Sequence, residues 1–467
     1  MASRLVDQFG AQNAAGATAS ALAAGIRALI LDGRLTVGER LPSERALAAE
    51  LRRSRSTATR VYSLLERDGY VTRLHGGSTR VSLPHTDRGE ESSEDDDAID
   101  LSIASMNSTP GLYDATVRSL PRLASLRGSS GYSVQGVPEL REAIAQRFTQ
   151  RGVDTSADEI IVTSGALAAV SLVLATIGRR GHRAVVEQPT FPHALDALRR
   201  HDYRMLPTPV DTDGWDVRHL TELLLQRRPE IAYLIPDFHN PTGATLRDEE
   251  RSRLAATARS VGTRLIADET TIDLDIDRGW TPRPVAAFDP GVITVGSLSK
   301  IAWGGLRVGW IRADRSLIAR LLAVRPSFEL GTALLEQCIA IELLAEMPAL
   351  LTHARSRLRA GRAAVAAGLA QIPGLRMPHV DGGLSVWADL GAPVSTGLSL
   401  AARERGLILP PGPRFSTGGV LERRLRIPIT YEPERTAEAM ERLRVAWNDV
   451  HAGRSPRSDE SQHPVVV

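Results

Sequence analysis

The stretch Val292-Ile-Thr-Val-Gly-Ser-Leu-Ser-Lys300 ends in the only lysine of a 467-residue chain. The chain also contains 56 arginines. A guanidinium group has a pKa above about 12 and stays protonated in proteins, whereas a primary amine can lose its proton and attack a carbonyl group. The chain therefore carries a nucleophilic side-chain amine at one position only. That chemistry suits a Schiff base.

The residues around Lys300 favour a phosphate site over a solvated charge. A β-branched run over 292–295 predicts a buried strand just before the lysine. Ser297 and Ser299 lie beside it, and Arg307 follows after a glycine pair. Hydroxyl groups and an arginine are the groups that gather around a phosphate. From the residues alone, an ordinary exposed lysine remains the alternative.

The segment SLSKIAWGGLRVGW (297–310) resembles the cofactor-lysine segment of fold-type I pyridoxal-5'-phosphate (PLP) enzymes, the aspartate aminotransferase superfamily. The resemblance implies an α/β fold: a mostly parallel sheet with flanking helices and a smaller C-terminal α/β subdomain. It also implies that Lys300 is the catalytic residue and holds PLP as a Schiff base. Ser297, Ser299 and Arg307 would then bind the cofactor, with Arg307 clamping its phosphate.

The composition is that of a soluble globular protein with more than one domain. Hydrophobic residues make up 42% and charged residues 24% of the chain. No apolar run reaches the roughly 18 residues that a membrane span needs, and polar residues interrupt the alanine-rich N-terminus. The single cysteine, Cys338, excludes an internal disulfide and a cysteine zinc cluster. We therefore expect a cytoplasmic protein without a metal site.

Charge divides the chain unevenly. Residues 1–84 contain twelve arginines and seven acidic residues, whereas residues 85–98 contain seven acidic residues and one arginine. Such an acidic, weakly hydrophobic stretch does not fold, and its charges repel one another. The chain is thus predicted to consist of a basic N-terminal module, a flexible linker, a large domain and a disordered tail, over residues 1–83, 84–98, 99–452 and 453–467 respectively.

The first module has the element order of a winged helix-turn-helix. Apolar spacing and turn residues predict three helices and a hairpin, at about 21–31, 44–51 and 55–68, with strands at 70–73 and 79–83. Ser43 is a favourable N-cap for the second helix, and Gly69 ends the third. In this order of elements the third helix enters the major groove of DNA.

The segment LPSERALAAELRRSRSTATRVYSLLERDGYVTRLHGGSTRV (41–81) resembles the DNA-binding domain of GntR-type bacterial regulators. The resemblance implies that side chains of the second and third helices and the hairpin wing face DNA: Arg45, Arg55, Ser56, Thr57, Arg60 and Gly77. The family's recognition helix usually begins with a small apolar residue, where this chain has Arg53. An arginine-rich helix that is merely solvated is the alternative.

From about residue 99 strands alternate with helices, which predicts a mostly parallel sheet. The segment GYSVQGVPELREAIAQRFTQRGV (131–153) resembles the superfamily segment whose tyrosine reaches the cofactor phosphate of the neighbouring subunit. Tyr132 would then bind the cofactor in trans, and the protein would be a homodimer.

A strand, a glycine turn and a helix start follow one another over 159–167, which places free backbone N–H groups where a phosphate can bind. By the resemblance, the cofactor phosphate lies against Ser164, Gly165, Ala166 and Leu167. Phe191 follows the next strand. In related proteins an aromatic residue here stacks on the pyridine ring, although a core position is the usual place for phenylalanine.

Two further strands carry polar residues at their ends. Asn240 opens the turn Asn-Pro-Thr-Gly after a strand predicted over 231–237, and Asp268 ends a strand over 264–268. The resemblance assigns Asn240 to the phenolic oxygen of PLP and Asp268 to its pyridine nitrogen. Thr271 stands where the superfamily commonly has a tyrosine that tunes the cofactor, which puts efficient transamination in doubt.

Near the C-terminus, the sequence RLRIPIT (424–430) resembles the segment whose arginine binds the α-carboxylate of a substrate. The match falls on Arg426, with Arg423 and Arg424 as close neighbours.

Together the two modules resemble the MocR family of bacterial transcription factors. The resemblance implies a regulator that binds an operator in double-stranded DNA and senses an amino acid, an amine or PLP itself. A working PLP-dependent aminotransferase is the alternative function.

Overall fold

The structure is a computed structural model that describes residues 18–31, 35, 40–51, 53–74, 78–81, 98–179 and 181–452. Most of the predicted linker, the tip of the wing with Gly77, and the predicted tail lie outside these described residues. Among the helices that are described, none combines the length and the apolar character needed to cross a membrane.

The N-terminal module contains helices α1 (Ala19–Leu31), α2 (Glu44–Glu50) and α3 (Arg55–Arg67), followed by strands β1 (Val71–Leu74) and β2 (Ser78–Val81). The two strands pair antiparallel, as predicted for the wing. A serine caps the N-terminus of each of the helices α2 and α3. Ser43 accepts from the N–H of Ala46, and Ser54 accepts from that of Thr57. Each cap satisfies a backbone donor that the helix itself leaves unpaired.

A small apolar core holds this module together. Leu22, Ile26, Leu47, Val61 and Tyr62 are all buried in it. The Tyr62 hydroxyl donates to the carbonyl oxygen of Pro42 at 2.7 Å, so this buried polar group keeps a partner. The apolar faces of the three helices therefore pack on one another and leave the start of α3 free.

The large domain is built on a sheet of eight strands in the order β4-β11-β10-β9-β8-β5-β6-β7. The strands are β4 (Ile160–Thr163), β5 (Arg183–Gln188), β6 (Arg204–Asp211), β7 (Gly214–Trp215), β8 (Ile231–Leu234), β9 (Arg264–Asp268), β10 (Ile293–Ser297) and β11 (Gly309–Arg312). The five strands from β10 to β6 are parallel, while β11 and β7 run antiparallel to their neighbours. The mostly parallel α/β fold predicted from the sequence is confirmed.

Helices cover both faces of this sheet, which explains why its strands are almost continuously apolar. The large-domain helices before the C-terminal subdomain are α4 (Leu112–Ser125), α5 (Pro138–Gln150), α6 (Ala166–Ile177), α7 (Pro192–Arg200), α8 (Val217–Arg227), α9 (Asp248–Val261), α10 (Arg315–Val324) and α11 (Leu334–Ala345). Helices α6, α7 and α10 share one buried cluster with residues such as Val186 and Ile266. Helices α5, α8 and α9 bury the opposite face, with Val185 and Leu265.

The C-terminal subdomain contains α12 (Met347–Leu369), β12 (Ser385–Asp389), α13 (Ser395–Arg403), β13 (Leu407–Ile408), β14 (Arg424–Pro428) and α14 (Pro433–His451). Strands β12 and β14 pair antiparallel, and β13 pairs parallel with β3 (Ile99–Asp100). The start of the large domain is thus tied to its end.

One predicted strand is shorter than expected. The strand predicted over 231–237 ends at Leu234. Pro236 lacks a backbone N–H and cannot continue the ladder. Its carbonyl oxygen instead accepts from the N–H of Leu246 and from the guanidinium of Arg251, at 2.9 Å and 3.1 Å. The chain therefore leaves the sheet early and turns toward Asn240.

Candidate functional site

The predicted site residues of the large domain lie where parallel strands end. Asp268 is the last residue of β9, Lys300 follows β10, and Asn240 follows β8. Ser164 follows β4, and Phe191 follows β5. Because β5, β8, β9 and β10 are parallel and adjacent, their carboxyl ends meet at one edge of the sheet, where open α/β sheets bind ligands.

Lys300 is held in a desolvated position. Its Nζ donates to the carbonyl oxygen of Ala104 at 3.1 Å. Burial and then the charge of Arg426 lower the pKa of the Lys300 amine, Asp268 opposes them, and the net result is a pKa of about 8. Roughly a tenth of this amine is therefore neutral at pH 7, and the neutral form is the one that attacks a carbonyl carbon.

Asp268 is a buried carboxylate with donors on both oxygens. Its Oδ1 accepts from the N–H and the hydroxyl of Thr270, at 3.1 Å and 2.7 Å, and its Oδ2 accepts from the hydroxyl of Tyr233 at 2.6 Å. Burial raises the pKa of the Asp268 carboxyl, while these hydrogen bonds oppose that rise. Nearby Lys300 is the main cation acting on it. A buried carboxylate of this kind requires a cationic partner.

A tight cradle lies between β4 and β11. Gly165 has φ +96°, and a Cβ at this position would lie 2.4 Å from a guanidinium nitrogen of Arg307. The same guanidinium donates to the carbonyl oxygen of Ser164 at 2.8 Å. Helix α6 begins at Ala166, so its first backbone N–H groups point toward this cradle. Helix N–H groups and an arginine together form an anion site.

The other predicted residues of the cradle are arranged around the same turn. The Ser297 hydroxyl lies 2.9 Å from the Ser299 hydroxyl and 2.9 Å from the carbonyl oxygen of Val308, which ties the turn to β11. The Ser164 hydroxyl donates to a carboxylate oxygen of Glu329 at 2.6 Å. Leu167, in contrast, is 39% exposed, so only its backbone N–H is suited to an anion.

Asn240 and Phe191 follow the ends of neighbouring strands of the sheet. The side-chain oxygen of Asn240 is buried and makes no hydrogen bond among the described residues. Phe191 is partly buried, packs on the core, and meets the ring of His193 edge to face, with centroids 5.2 Å apart. Its stacking on a cofactor ring stays a prediction.

Thr271 does not take over the role of the missing tyrosine. Its hydroxyl donates to the carbonyl oxygen of Asp237 at 2.6 Å, and its side chain is buried. The hydroxyl is thus committed to the backbone that leads into Asn240. Neither Thr271 nor its neighbours in the sequence supply a tyrosine hydroxyl to the site.

Arg426 is the arginine of its segment that reaches the site. It is 5% exposed, and its guanidinium carbon lies 5.2 Å from the ring centroid of Phe415. Burial lowers the pKa of Arg426 to about 10, and its Nε has no partner among the described residues. By contrast, Arg424 pairs with Asp211 at 3.1 Å, and Arg423 donates to a backbone carbonyl oxygen at the surface. The structure thus separates the three neighbouring arginines.

Tyr132 does not contribute to the site of its own chain. Its side chain is 68% exposed. An exposed position is what a residue that acts on a second subunit requires, so the prediction for Tyr132 stays a prediction.

In the N-terminal module, most of the predicted DNA-facing side chains are exposed. Arg45, Arg55, Ser56 and Arg60 are exposed and Thr57 is half-buried. Within the described part of the chain, these three arginines form no ion pair. The hydroxyls of Ser56 and Thr57 each lie 2.8 Å from the Ser54 hydroxyl, which caps α3. Arginine side chains without acidic partners remain available for phosphate groups.

Sequence reasoning missed three residues of the site. Tyr233 reads as an ordinary strand residue, yet it donates to Asp268. Phe415 lies under Arg426. His239, to which sequence reasoning assigned no role, is 1% exposed, with Nδ1 2.9 Å from the Thr242 hydroxyl and Nε2 3.2 Å from Glu187. It therefore braces the turn beside Asn240, away from solvent.

The arrangement fits an aldehyde cofactor with a phosphate group. Two buried polar atoms, the Asn240 oxygen and the Nε of Arg426, have no partner within the described residues. The guanidinium of Arg307 can lie against the turn at Gly165 only because this residue has no Cβ. A nucleophilic amine, a buried carboxylate and an anion cradle thus lie along one sheet edge.

Comparison with known proteins matches both modules. The model of the bacterial regulatory proteins of the gntR family matches residues 18–81, and that of the class I and II aminotransferases matches residues 98–443. The uncharacterised HTH-type transcriptional regulator YdcR of Escherichia coli is 30% identical over 459 residues, which cover 90% of this chain and 97% of YdcR. The 2-aminoadipate transaminase of Thermus thermophilus is 29% identical over 352 residues, which cover 73% of this chain and 89% of the enzyme.

Solved structures agree with the fold. The α-aminoadipate aminotransferase LysN of Thermus thermophilus, complexed with N-(5'-phosphopyridoxyl)-L-leucine, superposes with a TM-score of 0.70 at 28% identity, covering 76% of this chain and 93% of LysN. The kynurenine aminotransferase of Pyrococcus horikoshii also superposes with a TM-score of 0.70, at 24% identity over 76% of this chain and 92% of that enzyme.

Proposed function

We propose a function from the premise that the chain belongs to the class I and II aminotransferases and carries a DNA-binding module of the bacterial gntR regulatory family. The protein is a MocR-type transcriptional regulator. Its large domain binds PLP through Lys300 and senses an amino acid, an amine or PLP itself. The observation that carries this proposal is the presence of both modules in one chain. The transcriptional regulator YdcR matches this chain almost from end to end.

The large domain supplies a binding site for the cofactor. When bound, PLP supplies an aldehyde that can exchange between amines and a ring that can withdraw electrons. Lys300, whose lowered pKa leaves part of the amine neutral, would hold the cofactor through its aldehyde. The cradle at Gly165 and Arg307 would hold the phosphate, and Asp268 would hold a proton on the ring nitrogen.

Two further groups orient a ligand. Asn240 would donate to the phenolic oxygen, and Phe191 would stack on the ring. Arg426 would bind the α-carboxylate of an amino acid, since its Nε is free and burial strengthens a charge-assisted hydrogen bond. Thr271 offers no hydroxyl to the phenolic oxygen, because it donates to Asp237. This favours binding and sensing over rapid turnover.

The partner molecules follow from the same premise. Arg55, Arg60 and Arg45 would contact an operator in double-stranded DNA, and two copies would read two half-sites. The exposed Tyr132 supports a homodimer in which it reaches the cofactor of the neighbouring subunit. Because bacterial operator DNA lies in the cytoplasm, the proposal places the protein there too.

Regulation requires that the ligand bind one conformation better than the other. A tenfold change in operator affinity corresponds to about 1.4 kcal/mol of such preference. The test selects DNA from a random-sequence pool with the full chain, and then footprints that DNA with and without PLP and a panel of amino acids. We expect the footprint to change with the ligand. A chain without residues 1–84 should still bind PLP, and sequence-specific DNA binding by that shortened chain would contradict the proposal.

A working aminotransferase is the second candidate, and it is favoured by the complete set of Lys300, Asp268, Asn240 and Arg426. Adding an amino acid and then a keto acid to the PLP-loaded protein separates the two functions. Repeated conversion between PLP and pyridoxamine phosphate would favour the enzyme. A single slow conversion would favour the regulator.

A further inference from the structure

A tyrosine lies in the centre of the parallel sheet, where apolar residues predominate. Tyr233 belongs to β8 and is 1% exposed, with β5 on one side and β9 on the other. A phenolic hydroxyl that is buried so fully requires a hydrogen-bond partner. Its partner is Oδ2 of Asp268, at 2.6 Å, on the neighbouring strand β9.

The direction of this hydrogen bond follows from the two acidities. Burial and then the charge of Asp268 raise the pKa of Tyr233 well above its ordinary value of 10, so Tyr233 keeps its proton. Asp268 is the acceptor, and the hydrogen bond from Tyr233 is the first of the interactions that oppose the effect of burial on its carboxyl. The bond therefore favours the ionised carboxylate.

The groups around Asp268 divide its two oxygens between them. Thr270 supplies both donors to Oδ1, and Tyr233 supplies the donor to Oδ2. The charged groups that act on this pair are Lys300, which stabilises the carboxylate, and Glu187, which acts on Tyr233. A carboxylate oxygen can accept two hydrogen bonds, so Thr270 already fills Oδ1, whereas Oδ2 accepts only from Tyr233 and still has capacity for a cationic ligand.

We propose that Tyr233 is a positioning residue that fixes the carboxylate of Asp268 and keeps it ionised, so that Asp268 can hold a proton on the ring nitrogen of PLP. The inference rests on the proposed function, because it requires that PLP bind at this site. Tyr233 itself does not touch the cofactor. It acts from the neighbouring strand, through one oxygen of Asp268.

The structure offers a matched control for removing this hydroxyl. Tyr203 is also buried, at 6% exposure, and its hydroxyl has no hydrogen-bond partner among the described residues. Tyr233→Phe and Tyr203→Phe therefore make the same chemical change in the same domain. Only the first removes a donor from Asp268.

The experiment loads both variants and the unaltered full chain with PLP that carries nitrogen-15 in its ring. For Tyr233→Phe we expect the ring-nitrogen signal to move toward the deprotonated value and the dissociation constant for PLP to rise about tenfold, as befits the loss of one hydrogen bond to a charged group. Tyr203→Phe should leave both unchanged. Thr270→Val removes a donor from the other oxygen, and its ring-nitrogen signal should move in the same direction.

A double-mutant comparison tests the route of the effect. In an Asp268→Asn background, Tyr233→Phe should cost much less than tenfold in PLP affinity, since the charge it supports is gone. Equal losses in both backgrounds would overturn the inference, as would a ring-nitrogen signal in Tyr233→Phe that matches Tyr203→Phe. These outcomes leave the proposed function intact, because the unaltered chain still binds PLP. If the unaltered chain bound no PLP, the proposed function and this inference would both fall.

Discussion

The amine of Lys300 donates to the carbonyl oxygen of Ala104 across 3.1 Å, within a site where burial lowers its pKa to about 8. The contact joins the end of β10 to the segment just after β3, which is also held by the C-terminal subdomain. The one side-chain amine of the chain is thus oriented by backbone and kept partly neutral.

The rate at which the cofactor-free protein captures PLP should depend on pH around 8. The neutral amine is the reacting form, so the rate should rise about tenfold per pH unit below 8 and level off above it. Stopped-flow measurement of the visible absorption of bound PLP gives this rate. Lys300→Arg keeps a positive charge and should abolish the absorption. A rate that kept rising to pH 10 would contradict the lowered pKa.

The hydrogen bond from Thr271 to the carbonyl oxygen of Asp237 should contribute to stability. Thr271→Val removes the donor and leaves a buried acceptor unpaired, so we expect a loss of about 1–2 kcal/mol in the free energy of unfolding. Thr208→Val is the matched control, because the Thr208 hydroxyl is buried and has no partner among the described residues. Urea denaturation of both variants measures the difference, and equal stability would show that the hydrogen bond contributes nothing.

Arg426 should decide whether an amino acid is bound by its carboxylate. Arg426→Gln should weaken the spectral response of PLP-loaded protein to amino acids by roughly ten- to a hundredfold, as expected for a charge-assisted hydrogen bond. Simple amines, which lack a carboxylate, should respond nearly as before. Arg424→Gln, which loses only a surface pair with Asp211, serves as the control and should change little. A comparable loss in both variants would argue against a specific role for Arg426.

Arginines at the start of α3 should contribute to DNA affinity through phosphate contacts. Arg55→Ala should weaken binding and lower the slope of log affinity against log salt by about one. Arg67→Gln, in the last turn of the same helix, removes a residue that pairs with Asp68 and should leave the slope unchanged. Gel-shift titrations at several salt concentrations give both slopes. Identical slopes for the two variants would contradict the placement of the DNA-binding surface at the start of α3.

Much of the fold could be predicted because local patterns are strong. The serine cap at Ser43 and the strand from Arg264 to Asp268 lie where the sequence predicts them. The resemblance to the GntR and aminotransferase families is confirmed by the matching family models. The roles of individual site residues stay predictions, because the fold positions them without a ligand to contact.

What the sequence could not predict depends on pairing between distant segments. Tyr233 and Asp268 are 35 residues apart, and only the register of β8 against β9 brings them together. In the pairing of β14 with β12, Arg426 lies opposite Trp387. This register places Arg426 at the site and leaves Arg424 at the rim of the site. Arg424 and Arg426 are two residues apart and lie on the same face of β14, so alternation along the strand does not separate them. Tertiary packing decides which of the two positions lies at the site.

A chain with a single lysine has one side chain that amine-directed reagents can label. Because Lys300 holds the one ε-amino group of the chain, amine-directed labels would have only this side chain and the terminal amine as targets. A carbonyl compound bound to Lys300 would block the label, and borohydride would make that block permanent. Occupancy of the site could then be counted by intact-mass spectrometry, without peptide mapping and even inside a complex with nucleic acid.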